Sequence, residues 1–117
     1  MINPAETPPD AHTPDLTITL TAYKNGDYAT AFQELKPLAE DGNERAQFLV
    51  GLMYDSGRGV SKDYVKARSW YIKAAKQGNA PAQYSMGYLY LNGYGVQNDY
   101  TKAETWYPPS GRIVGTT

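Results

Sequence analysis

The side chains able to do chemistry are few, and they do not converge. His12 is the only histidine, and it stands in a lead that holds four of the chain's eight prolines. A histidine can act as a general base or a metal ligand, but acyl transfer needs a fixed Ser or Cys beside it and a metal needs further ligands. Neither is offered near residue 12. Asp41, Glu44 and Asp55 are carboxylates that could pair for acid–base work, yet no apolar stretch around them marks one for a raised pKa. Gly57-Arg58-Gly59 has the look of a dinucleotide loop, but no strand precedes it and Lys62 stands where the third glycine belongs. The chain has no cysteine, which removes thiol nucleophiles, disulfides and most structural zinc sites. The expectation is a protein without a catalytic site, cofactor or metal.

Charge and hydropathy narrow the partners. Eleven basic and twelve acidic residues leave a net charge of −1, so the field that draws a protein onto phosphate backbones or anionic lipid is missing. No apolar run approaches the roughly 18 residues of a spanning helix, and residues 1–15 lack the charged start and apolar stretch of a signal peptide. Nucleic-acid binding and membrane insertion are not expected. The compartment is left open between cytoplasm and export after removal of a signal. Eleven tyrosines against two phenylalanines point to half-buried seams, because a tyrosine ring packs while its hydroxyl stays wet.

The elements that would position a site come from a repeat. An offset of 36 residues aligns 42–71 with 78–107, and 15 of the 30 pairs are identical, where unrelated chains give about two. The matches are glycines (Gly42/Gly78, Gly51/Gly87, Gly57/Gly93, Gly59/Gly95), alanines (Ala46/Ala82, Ala67/Ala103), aromatics (Tyr54/Tyr90, Tyr64/Tyr100, Trp70/Trp106, Tyr71/Tyr107), polar and charged residues (Asn43/Asn79, Gln47/Gln83, Asp63/Asp99, Lys66/Lys102) and Val60/Val96. At the same offset Asp27, Tyr28, Ala31, Ala39 and Gly42 precede Asp63, Tyr64, Ala67, Ala75 and Gly78, which marks an earlier, more divergent unit with a loop four residues shorter.

Each unit reads as helix, turn, helix. Asn43 caps a helix whose small or apolar residues Ala46, Leu49, Val50, Met53 and Tyr54 share one face, and Gly57 and Gly59 end it. Asp63 caps the second helix, with Tyr64, Ala67, Trp70, Tyr71, Ala74 and Ala75 as its stripe and Gly78 as its stop. At the start, Leu16, Ile18 and Leu20 alternate like a strand, but Leu16, Leu20 and Tyr23 also share a helical face, and the repeat context decides for helix.

The run G-N-x-x-A-Q-x-x-x-G-x-x-Y-x-x-G-x-G-V-x-x-D-Y-x-K-A-x-x-W-Y resembles the Sel1-like repeat, a relative of the tetratricopeptide repeat found often in bacteria, over residues 15–107. The resemblance implies an all-α architecture: antiparallel helix pairs stacked into a short right-handed superhelix, with units at about 15–42, 43–78 and 79–107. Residues 1–14 form a proline-rich lead and 108–117 an irregular tail, because Pro108 and Pro109 fall where the preceding unit continues its helix. The function implied is that of an adaptor or scaffold binding a protein or peptide, and many members are exported.

Aligning Gly51 and Tyr54 with the glycine and tyrosine of the parent repeat puts Arg45, Phe48, Leu52 and Asp55 on a concave face, followed by Tyr84, Tyr88, Leu91 and Asn92. The competing reading makes these residues packing between units. Tyr100, Ala103, Trp106 and Tyr107 would form an open edge able to meet a second copy or the rest of a longer array. Cysteine-rich relatives have been linked to β-lactam hydrolysis, but they use disulfides, and no serine here is followed three residues on by lysine.

Overall fold

The computed structural model describes residues 16–96 and 99–106, and within them every regular element is a helix. The elements are α1 (Thr17–Lys24), α2 (Tyr28–Glu40), α3 (Glu44–Ser56), α4 (Tyr64–Lys76), α5 (Ala80–Asn92) and α6 (Tyr100–Trp106). Each packs on the next in chain order, giving three stacked helix pairs. His12, Tyr107, the proline-rich lead and the tail from 108 lie outside the described residues.

Side-chain caps start every helix after α1. Asn43 and Asn79 accept from the amides of Ala46 and Ala82 at 2.8 Å, while Asp63 and Asp99 accept from those of Lys66 and Lys102 at 3.0 Å. Each satisfies a donor that a helix start leaves without a partner. The first segment is a helix and not a strand: α1 starts at Thr17 with Leu16 before it, Leu16 and Thr19 are buried, and Ile18 points outward.

The interior is divided. One cluster joins Leu16, Ala31, Leu35, Ala39, Ala46, Val50 and Met53; the other joins Ala67, Tyr71, Ala74, Ala75, Ala82, Met86 and Leu89. Tyr54 packs against both. Leu35, Met53, Met86 and Leu89 are fully buried, each contributing about 1.5–3 kcal/mol of transfer free energy. Alanines on both sides of each seam let the helices approach closely.

The loops after α3 and α5 lock one unit onto the one before. A Cβ on Gly59 would lie 2.6 Å from the Tyr28 carbonyl oxygen, and one on Gly95 would lie 2.8 Å from the Tyr64 carbonyl carbon. Both glycines also take positive φ, +76° and +69°, so no other residue fits comfortably.

Candidate partner-binding surface

The outward stripe of α3 runs through Arg45, Leu52 and Asp55, and that of α5 through Tyr84, Tyr88 and Leu91 at four- and three-residue spacing. Tyr84, Tyr88 and Leu91 are 42%, 48% and 40% exposed, which for large side chains makes an apolar-aromatic strip open to solvent. Arg45 is exposed in the first turn of α3, and Leu52 is half-buried. Phe48 behaves differently from a surface residue. It is half-buried against the second cluster with its ring 5.8 Å from that of Tyr71, so it works largely as packing between units. Asn92 donates from Nδ2 to the Tyr88 carbonyl at 2.9 Å, closing the last turn of α5.

Asp55 is the acidic point of the strip, and its orientation is set from below. Tyr71, fully buried on α4, donates its hydroxyl to Asp55 Oδ2 over 2.9 Å. The Tyr71 hydroxyl is pushed far above the ordinary tyrosine range, first by burial, then by the charge of Asp55 and the hydrogen bond to it, with Ser85 acting in the other direction. Gly51 makes room for this arrangement, since a Cβ there would lie 2.7 Å from the Tyr71 ring.

Beside Asp55 the tyrosines of successive units meet. Tyr94 stacks flat on Tyr64 with centroids 4.7 Å apart, and Tyr88 tilts against Tyr94 at 5.6 Å. Tyr94 stands in the variable slot between the loop glycines, and Arg58 holds the same slot one unit earlier. Its guanidinium lies 5.2 Å from the Tyr28 ring and donates to the Tyr23 hydroxyl at 2.9 Å. The variable slot therefore rests on the tyrosine that opens the second helix of the preceding unit. The Lys62 ammonium sits 4.8 Å over Tyr64 and is held above its ordinary range, chiefly by the Tyr64 hydroxyl and to a lesser extent by Asp55.

The repeated pairs have structural work. Lys66 and Lys102 lie over the rings of Tyr54 and Tyr90 at 5.6 and 5.8 Å, and Asp63 and Asp99 are the helix caps. At the expected open edge, Ala103 is 1% exposed against its neighbours, while Trp106 is half-buried against the second cluster with part of its side chain exposed. Gln47 ties three helix ends together. Its side-chain amide donates to the Ala39 carbonyl at 3.2 Å, and its oxygen accepts from Gln77 at 2.8 Å. Gln83 repeats the first contact on Ala75. The identity of Gln47 and Gln83 between units was the available signal. Among the described residues, no three His, Asp or Glu side chains gather as a metal site would require.

The family model described as Sel1 repeat matches residues 44–79 and 80–107, which are α3–α4 and the third unit. Among solved structures, a Sel1 repeat protein from Oxalobacter formigenes is 36% identical with a TM-score of 0.74, over 79% of this chain and 38% of that one. A protective antigen of uropathogenic Escherichia coli strains, displaying an SLR fold, is 38% identical with a TM-score of 0.72, over 77% of this chain and 20% of that one. The chain thus spans about two-fifths and one-fifth of their lengths. No curated protein sequence matches.

Proposed function

This chain belongs to the Sel1 repeat family, and from that premise we propose that it is a non-catalytic adaptor that captures a protein or peptide segment on the strip shared by α3 and α5. Sel1 repeats commonly serve protein interaction and are typically non-enzymatic. The observation that carries the reading is the exposed stripe of Tyr84, Tyr88 and Leu91. Rigid aromatic groups with a wet hydroxyl offer contact area at little entropic cost, which suits the recognition of a peptide.

The test is a peptide array probed with the full chain and with a Tyr84→Ala/Tyr88→Ala variant. Loss of capture with unchanged helical circular dichroism supports the strip. Equal capture by both proteins moves the binding surface elsewhere.

A second reading, a spacer section of a longer array that also meets a second copy, is favoured by the loop-on-tyrosine joint recurring at both seams. Light scattering across a concentration series separates the two: a monomer near 12.9 kDa at every concentration counts against assembly.

A further inference from the structure

We propose that the strip selects a segment carrying an arginine or lysine, whose cation seats between the Asp55 carboxylate and the Tyr88 ring. This deepens the adaptor reading and rests on it. The strip carries two ionised side chains, Arg45 and Asp55, ten residues apart on α3 and so about 15 Å along its axis. Between them and alongside run Leu52, Tyr84 and Tyr88, so a bound segment meets apolar surface until it reaches the acid at the far end.

Three observations fix the chemistry of that end. Asp55 is half-exposed and held in one orientation by Tyr71, which preorganises its carboxylate for a charge-assisted hydrogen bond. Tyr88 is 48% exposed and close enough to Asp55 to feel its charge, and among the described residues no cation lies over its ring. Elsewhere this chain uses its aromatic faces for that purpose: five of its seven lysines, Lys36, Lys62, Lys66, Lys73 and Lys102, lie within 5.8 Å of a ring centroid. Arg58, lodged against Tyr23 and Tyr28, is the same combination of guanidinium, ring and oxygen acceptor built from the chain's own residues. At the strip, the carboxylate replaces the phenol as acceptor. Lys62, which already feels the Asp55 charge, sits over the Tyr64 ring and not over that of Tyr88. An acidic segment would set its charge against Asp55 and gain nothing from the negative face of Tyr88.

The experiment uses two fluorescein-labelled peptide pools, degenerate except for a shared leucine and a central position fixed as Arg in one pool and Glu in the other. Fluorescence anisotropy with the full chain is expected to favour the Arg pool by roughly tenfold or more. Asp55→Asn, which can still accept from Tyr71, is expected to bring the Arg pool down to the Glu pool. Tyr88→Leu, which keeps apolar volume, is expected to narrow the preference without abolishing capture. Equal binding of the two pools by the wild-type chain, lost in Tyr84→Ala/Tyr88→Ala, overturns the cation seat and keeps the adaptor reading. An Arg preference unchanged in both single variants overturns the seat as well. Binding of neither pool overturns both.

Discussion

The Tyr71 hydroxyl reaches Asp55 Oδ2 over 2.9 Å, joining the interior of α4 to the outward stripe of α3. A buried residue of the packing thereby governs a surface acceptor. Tyr71→Phe removes the donor and little else, and it is expected to lower stability by about 1–2 kcal/mol in urea unfolding. The same change is expected to weaken any cation held by Asp55, although Asp55 itself is untouched.

The pH dependence follows from the same bond. The folded-state pKa of Tyr71 is raised above the ordinary value of 10.0, so the folded protein keeps a proton that the unfolded chain releases. Its contribution is fully present below pH 10.0 and is lost as pH rises above it, which gives stability a negative slope there. Chemical denaturation across an alkaline series is expected to show that slope in the wild-type chain and a shallower one in Tyr71→Phe. Parallel curves would mean that the buried phenol ionises as freely in the folded state as in the unfolded one.

Gly59→Ala places a methyl 2.6 Å from the Tyr28 carbonyl oxygen at φ +76°. The loop cannot keep its seat, and a loss of about 2 kcal/mol or more is expected. Gly26→Ala, also at positive φ (+83°) but with nothing within 4 Å, is expected to cost about half as much, since only backbone strain remains. Thermal unfolding of the two variants side by side tests the division between strain and collision.

Gln77→Ala leaves the Gln47 oxygen without its donor inside the seam and frees the Gly42 carbonyl. Gln77 is itself exposed and water can take its place at Gly42, so the expected cost is about 1 kcal/mol, arising at the buried Gln47 amide, and amide hydrogen exchange around Gly42–Gln47 is expected to speed up.

Trp106→Ala strips an aromatic ring from the second cluster. It is expected to lower the melting temperature and to loosen α6 on α5, at a cost of about 2–4 kcal/mol. The variant's solution mass tells whether the side chain also touches a second copy.

Much of this architecture was legible in the residues. Asn43, Asp63, Asn79 and Asp99 announced the helix starts because a cap is a local device, and the 36-residue identity announced the stacking because matched small residues mean matched contacts. The surface was harder. Tyr88 and Leu91 could be placed by register, but Phe48 could not, because whether a ring at that position turns outward or into the neighbouring unit depends on how tightly the pairs close. Ala103 and Trp106 repeat the positions of Ala67 and Trp70, which pack inward in the unit before, and periodicity gives such a stripe without saying how much of it the preceding helix already covers. The Tyr71–Asp55 bond joins positions 16 apart on different helices, and no periodicity marks it.

The division of the interior into two clusters bridged by Tyr54 has a mechanical consequence. Load passing along the stack would cross from one cluster to the other in series, because among the described residues neither cluster spans all three helix pairs. Tyr54 couples them together with Phe48, which reaches from α3 to the second cluster, and Trp70, which reaches from α4 to the first, so trimming Tyr54 to a small side chain would soften the seam between α3 and α4.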